Sequence, residues 1–233
     1  MNFKKRREEN KNLGLNSRKR KMKNLKIRTL VKKDHQILSD SKHSPTEKQT
    51  IRNLVWIVRN IIYNERKNIS REMRNYDYPN GRFGVSASSL EDLKPETGGT
   101  PIRSIIVTTY RSGSTFLGDI LQAIPGSYYF FEPFVNTSIS TLFESTDVNP
   151  IYNHAKKLLN CDFSNMNHYL SYARSHKSYF QHNKYLLKTC PTILSNCYFR
   201  SFLEPYCKLF PIQVMKTVRP SLKSMSSLLS NFR

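Results

Sequence analysis

Two ionisable residues stand out by their setting, Arg111 and Glu132, twenty-one positions apart. Arg111 lies in Tyr110-Arg111-Ser112-Gly113-Ser114-Thr115, small and polar, with one glycine and one permanently charged fork suited to two oxygens of one anionic group. Glu132 closes Tyr128-Tyr129-Phe130-Phe131-Glu132-Pro133-Phe134 and is a candidate general base. Anion binding beside a carboxylate base is the chemistry of group transfer to a hydroxyl.

The elements needed to position this pair are legible around it. Ile105-Ile106-Val107 is a β-branched run of the kind that fills a buried strand. Phe116, Leu117, Ile120, Leu121 and Ile124 recur at helical spacing, so one apolar helix face is expected to pack, and Pro125-Gly126 ends the helix. A strand, a tight loop and a helix make an anion cradle. The first amides of a helix lack intrahelical partners and carry partial positive charge, and Gly113 lets the backbone turn and approach a ligand. Ser112, Gly113, Ser114, Thr115 and Phe116 are the expected cradle, with hydroxyls from Ser114 and Thr115. GxxxxGK[ST] and its lysine are absent, so nucleoside triphosphate hydrolysis is not the first reading. Glu132 comes beside the cradle if the strands ending at Val107 and Phe131 are neighbours, since ligands collect at strand carboxyl ends. The alternatives are structural: Arg111 as a surface arginine, Glu132 as a capping or ion-paired carboxylate.

TTYRSGSTFLGDIL followed by YYFFEPF resembles the donor loop and base segment of the Golgi carbohydrate sulfotransferases of the N-acetylglucosamine/galactose 6-O type. Further likeness covers Cys161-Asp162-Phe163 and PIQVMKTVRPSLKSMSSLL, so it runs from about Arg103 to Arg233. The resemblance implies a P-loop-like α/β fold, a parallel sheet flanked by helices. It implies that 3′-phosphoadenosine 5′-phosphosulfate (PAPS) is the sulfuryl donor, gripped by Arg111 and residues 112–116, with Glu132 as base. It further implies a glycan or glycoprotein acceptor and a Golgi address. The family's later RDPR-serine segment for the 3′-phosphate is not seen. The stretch is therefore read as the N-terminal part of such a catalytic domain, incomplete at its C-terminus and conceivably inactive as it stands. Arg219-Pro220-Ser221 is at most a degenerate substitute.

The 233 residues suffice for one domain plus a tail, and a formal charge of +21 suits polyanionic partners. Residues 1–50 hold 16 Lys/Arg against 5 Asp/Glu. Residues 1–43 read as a disordered basic arm, residues 44–74 as an amphipathic helix or stem started by Ser44-Pro45-Thr46-Glu47, and 75–100 as a linker. Residues 101–233 are the partial sulfotransferase domain. Neither a transmembrane run nor a signal-peptide core is visible, a departure from the family's usual N-terminal anchor. A basic polyanion binder without catalysis is the competing reading.

Cys161, Cys190, Cys197 and Cys207 have no zinc spacing, so no metal is expected. By themselves they leave free thiols and disulfides equally open, with three full pairings; the resemblance favours disulfides. Asn68-Ile69-Ser70 and Asn136-Thr137-Ser138 are glycosylation sequons and permit a lumenal address. Helices are expected over Pro150–Leu159, Asn167–Phe180, Asn196–Leu209 and Leu222–Leu229, and strands over Tyr185–Lys188 and Ile212–Val218. His154 and His168 are read as solvated, Lys188 and Lys216 as surface lysines, and the Tyr169–Phe202 aromatics as core.

Overall fold

The computed structural model describes residues 45–135, 149–180, 182–193 and 197–219. Contacts divide the chain into Met1–Val55 and Trp56–Arg233, and the first unit is described only through the opening turns of one helix. The basic arm, the sequon at Asn136 and the expected helix Leu222–Leu229 fall outside the described residues.

The second unit is mixed α/β, a small parallel sheet flanked by helices. Helix α1 spans Pro45–Glu72, and the short α2, Leu90–Leu93, follows. Strand β1, Ile102–Val107, leads to α3, Ser114–Ala123, and β2, Ser127–Phe131. Helices α4 (Asn149–Leu159), α5 (Asn167–Ser175), α6 (Lys177–Phe180), α7 (Lys184–Ile193) and α8 (Arg200–Cys207) precede β3, Ile212–Thr217. The sheet order is β1-β3-β2, with both pairings parallel. β1 and β2 are thus not adjacent; β3, wholly buried, lies between them.

Period-two alternation divides the core between the faces. Tyr128, Phe130 and Met215 join the large cluster with Leu158, Phe163, Phe202, Tyr206 and Phe210. Tyr129, Ile212 and Val214 face the other way, against Leu121 of α3 and Ile124 just beyond it. From α1, Ile57, Val58, Ile61 and Ile62 pack on the large cluster, which Ile69 and Met73 enter fully. Residues 75–100 also bury Ala87, Leu90 and Leu93, and a capping box between Ser89 and Asp92 starts α2.

Tyr185–Lys188 is helical rather than extended. The Asn183 carboxamide oxygen accepts hydrogen bonds from the backbone N–H groups of Tyr185 and Leu186, each at 3.0 Å, so Asn183 starts α7 as a cap.

All four cysteines are paired, Cys161 with Cys207 and Cys190 with Cys197. The first bridge closes 46 residues and ties the end of α4 to the end of α8, while the second closes only 7. Chain entropy makes the longer closure worth about 4 kcal/mol and the shorter about 2 kcal/mol. Cys161→Ser/Cys207→Ser is expected to lower the denaturation midpoint clearly more than Cys190→Ser/Cys197→Ser. Equal losses in parallel urea titrations would reject this ranking.

Candidate functional site

β1 ends at Val107, and the chain turns through Thr108–Gly113 into α3. Gly113 is the helix N-cap at φ 77°, a left-handed conformation that glycine adopts without a Cβ penalty. Arg111 is also left-handed, at φ 63°. The turn is braced from inside: the Ser112 hydroxyl bonds with that of Thr108 and donates to the Thr109 carbonyl at 2.9 Å. The Ser112 hydroxyl therefore shapes the loop. Phe116 and Leu117 N–H donate back to the Gly113 carbonyl, whereas the Ser114 and Thr115 amides have no backbone acceptor among the described residues. Arg111 is exposed and has no carboxylate partner among the described residues.

Helix α3 packs through only part of the expected face. Phe116, Leu117 and Ile120 are exposed, at 72%, 45% and 48%. Its buried positions are Gly118 and Gln122, with Leu121 and Ile124 beside the sheet. Gly118 decides this, because a Cβ there would meet the Tyr129 hydroxyl at 2.1 Å. The helix approaches the strand through its smallest residue, and Phe116 turns outward next to the loop.

Glu132 follows β2 on the same sheet edge as the loop, since parallel strands end together, but β3 intervenes. The Glu132 N–H donates to the Lys216 carbonyl at 2.8 Å, and the Lys216 ammonium donates to Oε1 of Glu132. The side chains of this pair are 3% exposed for Lys216 and 13% for Glu132. Lys216 is thus no surface lysine: its strand places it under the carboxylate, and its ammonium also lies 4.8 Å from the Phe131 ring centroid. Burial withdraws both charges from water, and their mutual pairing compensates. Glu132 is left-handed as well, at φ 41°. Non-glycine residues rarely take that conformation, and such departures concentrate at functional sites.

Two further groups border this end of the sheet. The His182 imidazole stacks on Phe131 with centroids 3.8 Å apart, and burial lowers its pKa, aided by Lys216 and opposed by Asp119 and Glu132. Burial, with Asp119 and Glu132 nearby, pushes the Tyr129 phenol up. The sequence argument missed both His182 and Lys216 as site residues. For Lys216 a signal existed, a lysine in register with the inward Ile212 and Val214.

His154 is not solvated. Its ring packs against Phe134 and Tyr169, and it hydrogen-bonds the Pro133 backbone directly after Glu132. Burial lowers its pKa to about 4. Because the folded value lies below the ordinary 6.5, the unfolded chain binds the proton first. Stability is therefore full above pH 6.5 and is lost as pH falls towards 4. His154→Gln is expected to flatten that part of a pH–stability profile; an unchanged slope would assign the loss elsewhere. His168 is exposed, as is Lys188.

The geometry assembles a left-handed, glycine-capped loop at a helix N-terminus, an exposed arginine in that loop, and a cation-supported carboxylate on the same sheet edge. Among the described residues, no group of His, Cys, Asp and Glu could hold a metal ion, and no helix is long and apolar enough to cross a membrane. No protein-family model, curated protein or solved structure matches this chain.

Proposed function

We propose that this chain carries the donor half of a PAPS-dependent carbohydrate sulfotransferase that sulfates a sugar hydroxyl, the 6-hydroxyl of N-acetylglucosamine or galactose. The observation that supports the reading is the Glu132–Lys216 pair on the sheet edge from which the Arg111–Phe116 loop springs. In the reaction the acceptor oxygen attacks sulfur while Glu132 takes its proton. The bond from sulfur to the donor phosphate oxygen breaks, and adenosine 3′,5′-bisphosphate leaves. Arg111 and the open amides of Ser114 and Thr115 offset negative charge growing on the departing phosphate. Lys216 fixes the carboxylate's orientation and supplies its counter-charge. A lumenal Golgi setting and a glycoprotein acceptor belong to the same proposal, and the two disulfides suit such an oxidising compartment.

Titration calorimetry with adenosine 3′,5′-bisphosphate tests the donor site. Arg111→Ala is expected to weaken binding tenfold or more, since charge-assisted bidentate contacts contribute about 1.5–3 kcal/mol each. Equal affinity of variant and parent would remove Arg111 from the site. The competing reading, a polyanion binder, draws on the +21 charge. Tight, steeply salt-dependent nucleic-acid binding with no affinity for the bisphosphate would favour it.

A further inference from the structure

Lys216 fixes the tip of the Glu132 side chain, but the backbone beneath it needs support as well. A φ of 41° is a conformation that a non-glycine residue keeps only where its surroundings hold it. Every hydrogen-bonding group of the Glu132–Pro133 backbone is accounted for. The Glu132 N–H donates to the Lys216 carbonyl at 2.8 Å, and the Glu132 carbonyl accepts from the Val135 N–H at 3.1 Å. Pro133 has no N–H, so in its hydrogen bond with His154 the imidazole donates and the Pro133 carbonyl accepts. The Nε2 atom of His154 is shut off from water and has no partner among the described residues, so Nδ1 is the donor and the ring is held in one neutral tautomer. The ring is wedged between Phe134 and Tyr169, at centroid distances of 5.3 and 5.6 Å. Ile151, Ala155 and Leu158 of the same helix are buried in the large cluster, so the imidazole projects from a fixed support.

We propose that His154 is a positioning residue for Glu132: from α4 it clamps the Pro133 carbonyl, keeps Glu132 left-handed, and so aims the carboxylate at the sheet edge that also carries the Arg111–Phe116 loop. β3 holds the N-terminal side of Glu132 and α4 holds its C-terminal side. Released on the second side, the residue relaxes towards negative φ and swings its carboxylate off Lys216. A packing role would need only the volume of the ring; the directed N–H to a carbonyl one residue past Glu132 is what goes further. The inference rests on the reading of Glu132 as general base, where a misplacement of about 1 Å costs about 10²-fold in rate.

Two variants separate the donor from the volume. Leucine branches at the same carbon and fills the site without a donor, whereas asparagine puts an N–H where Nδ1 stands. His154→Leu and His154→Asn are compared in the intact chain, both checked for folding by circular dichroism. Amide hydrogen exchange at Glu132 and Val135 is expected to quicken about tenfold in His154→Leu, relative to the amides of β3, and to return to about the parent rate in His154→Asn. In sulfuryl transfer from PAPS, kcat is expected to fall about 10²-fold in His154→Leu and to be restored by asparagine, with KM for PAPS and affinity for adenosine 3′,5′-bisphosphate unchanged. Parent-like exchange and turnover in His154→Leu would overturn the proposal. So would a failure of asparagine to restore what leucine has impaired, since only packing would then remain. Transfer at the parent rate by Glu132→Gln, or none by the parent, would instead overturn the base reading and with it the catalytic consequence; the exchange comparison would still decide whether His154 holds Glu132.

Discussion

Lys216→Met is expected to destabilise the protein by about 3 kcal/mol, measured as a fall in the denaturant midpoint at constant slope. The lysine is 3% exposed and its carboxylate partner 13%, so removing the cation leaves a charge that water reaches poorly. The loss is placed at the low end for a broken buried pair because Glu132 keeps that margin of exposure. Methionine retains the apolar stem against Phe131, which isolates the charge from the packing. A double variant, Lys216→Met/Glu132→Leu, should recover most of the loss, since an apolar pair of similar volume has no stranded charge. If the single variant lost less than about 1 kcal/mol, the pair would be no better than a surface ion pair.

The largest catalytic effect is expected at Glu132. Glu132→Gln keeps the side chain's shape and an oxygen that still accepts from Lys216, but it cannot take a proton. Sulfuryl transfer from PAPS to an N-acetylglucosamine-terminated glycan should fall by about 10²- to 10⁴-fold, the usual contribution of general base catalysis. Calorimetric affinity for adenosine 3′,5′-bisphosphate should stay within twofold, because the Arg111–Phe116 loop is untouched. Transfer at the parent rate would reject Glu132 as the base. Lost bisphosphate affinity would instead make it part of the donor grip.

The loop between β1 and α3 was legible because its signals are local. A β-branched strand, a glycine among small residues and a helix ended by Pro125-Gly126 each fix the backbone within a few positions. The disulfide pairing and the order of the strands were not, since both are decided between residues far apart in the chain. The placement of β3 between β1 and β2 is the clearest instance: it puts Lys216, rather than Arg111, against Glu132. The α3 face was read only in part, for a related reason. The helix has apolar residues on more than one side, and the choice among them rests on Gly118 meeting Tyr129 from another strand. At Tyr185–Lys188 the apolar run suits strand or helix equally, and the Asn183 cap decides it.

β1 is paired on one side only among the described residues. The Ile102 and Thr108 amides donate towards β3, so by alternation those of Ile105 and Val107 point the other way. Among the described residues, the strand that leads into the Arg111–Phe116 loop is therefore anchored along a single seam, at an end of the sheet where opening is easiest. Any polypeptide that zips onto that outer margin would stiffen Arg111 and Gly113 together. By linkage the effect runs in both directions: a phosphate seated in the loop would in turn tighten the added strand, by the same factor.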